Sequence, residues 1–247
     1  MSVYEKMTAL ADAIREKTGG TEKLSIDQMT ADVKAFQAGG GDSDAALIGF
    51  FDRTATEFTV PNGATKIGDY AFYEFESLVR VAVPESVSTI GEHAFHGCIN
   101  LEELPSLSGV TEIPYACFSG CDKLAEISLP EGIKILGKSA FNGCDNLASI
   151  SFPESLIQIS DYAVRFCINL TKISLPSGVQ SISQQAFGDC TNLKEVTFKG
   201  TPKTMSSTTF NNSNNITVIN VPWAEGAVSG APWGATNATI NYNYTGA

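Results

Sequence analysis

Basic side chains are scarce: 16 Lys+Arg stand against 27 Asp+Glu, a formal net charge of −11 with the two His neutral. Affinity for a phosphate backbone comes mainly from Lys and Arg displacing counterions, so neither nucleic acid nor an anionic membrane surface is expected as a partner. Long apolar runs are missing too. No stretch approaches the roughly 18 residues that would span a bilayer, so membrane insertion is not expected. The opening Met1-Ser2-Val3-Tyr4-Glu5-Lys6 is a mixed-charge amphipathic run, and no classical secretion signal is visible in it. Charged residues make up only 17% of the chain, below the roughly 25% of an average domain, so Ser, Thr, Asn and Gly must cover much of the surface. Hydrophobic residues nevertheless reach 43% of 247, enough for a large core and too many for a disordered chain. No Gly-rich phosphate loop, His-Glu-x-x-His helix or nucleophile elbow occurs, and two histidines supply few general bases. The chain therefore reads as non-enzymatic, with no cofactor, no catalytic residue and no metal site.

What is abundant is repetition. Five of the six cysteines, Cys98, Cys121, Cys144, Cys167 and Cys190, are spaced at intervals of 23. The same step aligns Ile67, Ile90, Ile113, Leu136, Ile159, Ile182 and Met205, and likewise Phe72, Phe95, Phe118, Phe141, Val164, Phe187 and Phe210. Two further apolar columns run from Leu78 to Ile216 and from Val81 to Ile219, and a partial unit with Phe58, Val60 and Pro61 precedes Ile67. A short unit of this kind cannot bury both ends of its apolar wedge alone, so successive units must stack into a solenoid.

Within a unit the period changes. In Leu124-Ala-Glu-Ile-Ser-Leu-Pro130, Ile127 and Leu129 alternate with Glu126 and Ser128, the pattern of a half-buried strand that Pro130 ends. Turn dipeptides such as Glu131-Gly132 follow, and the spacing of Ile133 and Leu136 suits a second short extended segment. Ala140, Phe141 and Cys144 then suit one helical turn closed by Gly143. Helical turns are wider than strands, so the strand ladder is expected on a concave face and the helical turns on a convex one.

These units, nearly intact in Cys121 to Phe141 and Cys144 to Val164, resemble the BspA-type (Treponema pallidum type) leucine-rich repeat over about 180 of the 247 residues. The resemblance implies an α/β solenoid of 23-residue units, and a surface adhesin contacting host proteins or other bacteria, extracellular or at the cell surface. Departures are Ser106 and Leu107 at the second strand hydrophobe and the Pro, Val164 for Phe, Lys199 for Pro and Ser213 for the last Cys.

The ends have another grammar, dividing the chain into 1–38, a linker at 39–44, the array at 45–222 and a cap at 223–247. Val3, Met7, Leu10 and Ile14, then Ile26, Met29, Val33 and Phe36 behind a Ser25-to-Gln28 capping box, predict a small helical hairpin. A flexible Gly39-Gly40-Gly41 linker favours docking on another protein over a fixed cap. The stretch Leu10 to Thr18 with Ile26 to Met29 resembles tail proteins of phages and prophages, which implies the alternative of a virion-associated structural protein docked through these helices. A polysaccharide hydrolase is a remote third reading. At the other end Ala238 to Tyr244 alternates as a final strand expected to cover the stack, and Trp223 and Trp233 could stack on sugar.

Equivalent side chains on neighbouring units point the same way, whereas metal ligands must converge, so the cysteines read as a structural ladder of buried thiols, with Cys117 a small filler in an alanine column. His93 and His96 fall in substitutable, solvent-facing columns. The binding surface is placed on exposed strand positions: Arg80, Glu103, Glu126, Ser149, Lys172 and Glu195 in one column, and Ser128, Ser151, Ser174 and Thr197 in the next. There Glu103 and Glu126, about 5 Å apart by the strand spacing, would favour a basic side chain or a cation, and the partner expected on this face as a whole is a protein or glycan.

Overall fold

Alternating residues such as Arg80-Val81-Ala82 and Glu126-Ile127-Ser128 can bury one face only by lying in a sheet, and a neighbouring unit of equal length supplies the next strand in register. The structure, a computed structural model, describes residues 53–60 and 62–246. Its strands among these residues are β1 (Glu57–Thr59), β2 (Lys66–Ile67), β3 (Arg80–Ala82), β4 (Thr89–Ile90), β5 (Glu112–Ile113), β6 (Glu126–Ser128), β7 (Ile135–Leu136), β8 (Ser149–Ser151), β9 (Gln158–Ile159), β10 (Lys172–Leu175), β11 (Ser181–Ile182), β12 (Glu195–Phe198), β13 (Thr204–Met205), β14 (Val218–Asn220) and β15 (Thr239–Asn241). All pairings are parallel, and within the array Cα partners lie 23 residues apart, as in Ile127 with Ile150 and Ile173 with Val196. The helical hairpin and linker expected over 1–44 lie outside the described residues.

Two strand ladders run along the stack. One contains β1–β3, β6–β8 and β10–β12–β14–β15; the other contains β2–β4 and β5–β7–β9–β11–β13. Between them the core is a set of columns: Leu78, Leu101, Leu124, Leu147, Leu170 and Leu193 are wholly buried. The phenyl rings of Phe72, Phe95, Phe118 and Phe141 stack with centroids 4.9, 5.1 and 5.4 Å apart and planes within 8°.

The first ladder breaks at residues 103–107, where the sequence reading expected it to continue. Pro105 stands where Ser128 stands one unit later, and it has no N–H to give a neighbour. Burial shifts with it: Pro105 and Leu107 are buried and Leu104 only half-buried, whereas Ile127 and Leu129 are the buried pair one unit on. Pro105 is thus no exposed column member, and Glu103 does not pair with Glu126 across a strand ladder.

The third side corrects the expectation of helical turns, since the described residues contain no helix. In Ser139 to Cys144, Ser139 and Gly143 have φ of +56° and +73°, which a right-handed helix forbids. Amides alternate in direction: Ala140 and Asn142 donate back to Gly137 and Ser139 at 3.2 and 3.1 Å, within the coil. Ser139, Phe141 and Gly143 instead donate to Asp161, Ala163 and Arg165 of the next coil at 2.9, 2.7 and 2.9 Å. The same pairs recur from Tyr70 to Asp189. A coil with a neighbour ahead can give every second N–H along the stack, so backbone donors are satisfied without a helix. This side is held coil to coil by backbone hydrogen bonds, as the strand sides are, and no helical turn widens it.

Below these turns each cysteine is buried, and the thiols of Cys98, Cys121, Cys144, Cys167 and Cys190 donate to the carbonyls of Phe72, Phe95, Phe118, Phe141 and Val164 at 3.0 to 3.3 Å. Ser213 does the same toward Phe187 at 2.8 Å, which explains the exchange of Cys for Ser in the last unit.

Candidate functional site

The strand face places its outward side chains in rows because neighbouring strands are locked in register by backbone hydrogen bonds. Glu126 faces Ser149, Ser128 faces Ser151, Lys172 faces Glu195, and Ser174 faces Thr197. Arg80 is held by three carboxylates: Glu102 and Glu103 at 3.3 Å and Glu57 at 3.7 Å. Glu103 is therefore committed to Arg80 rather than standing with Glu126 as an open pair. The Lys172 ammonium meets Glu195 at 2.9 Å. These pairs are exposed, so each contributes only about 0–1 kcal/mol, and their effect is to fix side-chain direction. Farther along, Asn220 donates its amide to Thr197 at 3.2 Å and accepts at its Oδ1 from Asn241 at 2.8 Å, continuing the row to β15. The centre of this face, Glu126, Ser128, Ser149, Ser151 and Ser174, is a shallow polar plain with one carboxylate.

The turn side carries what the sequence reading passed over. Tyr70 stacks on His93 with centroids 4.9 Å apart, and Tyr73 on His96 at 5.0 Å. His93 meets His96 at 5.3 Å and the edge of Tyr115 at 4.7 Å. Both imidazoles are half-buried instead of freely solvated, and each has a buried Nδ1 without a hydrogen-bond partner. Burial is the main cause that lowers the pKa of both; for His93 the carboxylates of Glu92 and Asp69 oppose it, and for His96 His93 adds to it while Glu74 opposes. The folded chain thus binds fewer protons here than the unfolded chain, whose histidines titrate near 6.5, so stability present above that pH is lost as pH falls below it toward the lowered folded values. The drop in thermal midpoint between pH 7.5 and 5 is expected to be smaller in a His93→Phe/His96→Phe variant than in the parent; equal drops in differential scanning calorimetry would refute it. Among the described residues no three metal-ligating side chains converge.

Three units on from the histidines, the Arg165 guanidinium lies 4.3 Å from the Phe166 ring centre and 5.3 Å from that of Tyr162, held by Asp189 at 2.7 Å. Phe166 sits at φ +59°, where Gly97, Gly120 and Gly143 occupy the same column, and it is 41% exposed. A left-handed conformation costs a side chain about 1–2 kcal/mol. Phe166→Gly is accordingly expected to be more stable than Phe166→Ala by about 1 kcal/mol in urea unfolding. The signal was readable as a bulky residue in a glycine column.

At the end of the stack Trp223 and Trp233 are 6% and 0% exposed, and Trp233 donates its indole N–H to Ser229 at 2.8 Å. Neither offers a ring face to a sugar. They pack with Phe198, as edge contacts for Trp223 with centroids 5.1 and 6.1 Å away, and close the core instead.

The family model of the BspA-type leucine-rich repeat region matches residues 49–163 and 111–225. That span leaves the tail-protein resemblance of residues 1–38 without support. A leucine-rich repeat protein of Treponema pallidum is 31% identical, with a TM-score of 0.61 over 66% of this chain and 78% of that one. A leucine-rich repeat protein from Bacteroides ovatus is 19% identical, with a TM-score of 0.41 over 75% of this chain and 68% of its own. A leucine-rich cell surface protein from Faecalibacterium prausnitzii is 17% identical, with a TM-score of 0.40 over 78% and 89% of the two chains. No curated protein matches. The repeat period, the parallel ladders and the family match together show that the chain belongs to the BspA-type leucine-rich repeat family.

Proposed function

We propose that the chain is a non-enzymatic protein-binding module of a bacterial surface, which uses the strand face to hold a protein or glycan partner. The observation that carries this reading is the plain formed by Glu126, Ser128, Ser149, Ser151 and Ser174: side chains short enough for close approach, on strands whose spacing is fixed by the backbone. Arg80, Lys172, Glu195 and Thr197 rim it and supply charge of both signs. Preordered side chains lower the entropy lost when a partner binds. The name of the Faecalibacterium relative, a cell surface protein, agrees with display outside the cell. No helix among the described residues is long and apolar enough to cross a membrane.

Retention of the intact chain on immobilised host extracellular-matrix proteins tests the proposal, in parallel with a Glu126→Lys/Ser151→Lys variant that places two long cations on the plain. Binding by the parent and its loss in the variant is the expected result. Equal retention of both would remove the strand face from consideration, and no retention of either would remove adhesion to these proteins.

A further inference from the structure

The sheet that ends at β15 is left with an edge of unusual composition. β15 pairs with β14 on one side, and no strand among the described residues lies on the other. The Thr239 N–H donates to Thr217 and the Asn241 carbonyl accepts from Val221, so both residues use their backbone toward β14. Because successive residues of a strand alternate in direction, the N–H and C=O of Ile240 point outward. The chain after β15 does not fold over that edge, since Asn243 and Tyr244 donate back to Trp223 and Val221. Edge strands are ordinarily guarded by Lys, Pro or a bulge. Here the sequence is Thr-Ile-Asn, and residues 226–246 contain no Asp, Glu, Lys or Arg in a chain of net charge −11.

These observations fit one occupant. Two acidic chains repel wherever their charged surfaces meet, and the uncharged last coil is the place where they can approach. We propose that β15 is a self-association edge, joining two copies of the chain antiparallel about a two-fold axis through Ile240. Ile240 of each copy exchanges both backbone hydrogen bonds with Ile240 of the other. Thr239 then lies opposite Asn241 of the second copy. The Asn241 amide nitrogen is already given to Asn220, which leaves Oδ1 to accept from the facing Thr239 hydroxyl. Half-buried Ala238, Ile240 and Tyr242, packed on the core but incompletely covered, gain cover from the same residues of the partner. Self-complementarity of this kind is what an isologous two-fold interface requires.

Sedimentation of the full chain at about 1 to 100 µM, a range that brackets a weak-dimer affinity of about 10 µM, reads the assembly state. A dimer is expected for the parent. A Thr239→Lys/Asn241→Lys variant and a Thr239→Glu/Asn241→Glu variant should each dimerise at least tenfold more weakly, because like charges then face each other across the axis. Both substituted side chains are exposed, and an unchanged thermal midpoint checks that each variant is folded. Mixing the two variants should restore a dimer, which loss of folding could not mimic. A parent that stays monomeric overturns the proposal and leaves the edge to some other strand. Dimers untouched by both pairs of substitutions overturn it as well, placing self-association on another surface.

Discussion

Folded protein at pH 8 is expected to react with iodoacetamide at least about a thousandfold more slowly than the same chain in denaturant. The thiolate is the nucleophile, and its population sets the rate. Burial pushes the Cys98 and Cys190 thiols from 9.0 up to about 12, and raises those of Cys117, Cys121 and Cys167 well above the ordinary value for the same reason. A rise from 9.0 to about 12 alone lowers the thiolate fraction about a thousandfold, before access is counted. One cysteine labelled rapidly in the native state would contradict the buried ladder. The same cause has a thermodynamic counterpart. The folded chain keeps protons that the unfolded chain releases above about pH 9, so stability is present below that pH and is lost as pH rises toward about 12. Each raised thiol contributes a slope of up to about 1.4 kcal/mol per pH unit in that window. Urea midpoints are expected to fall steeply from pH 9 upward, and less steeply in Cys190→Ser, which copies the arrangement found at Ser213; a flat profile would refute the linkage.

Replacing Phe118 by Ala is expected to cost about 3–5 kcal/mol, the range for deleting a large buried side chain. Phe118 is wholly buried and stacked on both sides, by Phe95 and Phe141. In a solenoid each coil touches only its neighbours, so this one deletion weakens two interfaces at once. The two halves of the array should then unfold separately, giving a broadened or two-step urea transition with a lower apparent slope. A single sharp transition displaced by less than about 1 kcal/mol would show that the phenyl column does not couple the coils.

Regular columns were legible before any coordinates, and for a physical reason. Ile127, Phe141, Cys144 and Leu147 repeat because each must fill the same slot in every coil, so identity of environment appears as identity of residue. Legibility failed where two backbones share one pattern. Ala140, Phe141 and Cys144 satisfy the spacing of a helical turn, yet the alternating turns place the same three inward, and Gly143 with φ +73° looks like a helix cap in either case. It also failed where one residue changed the phase: Pro105 shifts the buried positions of its coil from 104 and 106 to 105 and 107, while Glu103 stays exposed beside Arg80. On the turn side, His93 and His96 read as members of substitutable, solvent-facing columns, because exposure belongs to a column while ring stacking belongs to particular neighbours.

A coil closed by hydrogen bonds on three sides to equivalent residues of the next has a genetic corollary. Unequal crossing over between corresponding codons of any two units would delete or duplicate whole turns, and every junction so created would already be in register. Gene length could thus drift in steps of one turn while each intermediate still folds, whereas a slip of a single codon would misalign all three sides together.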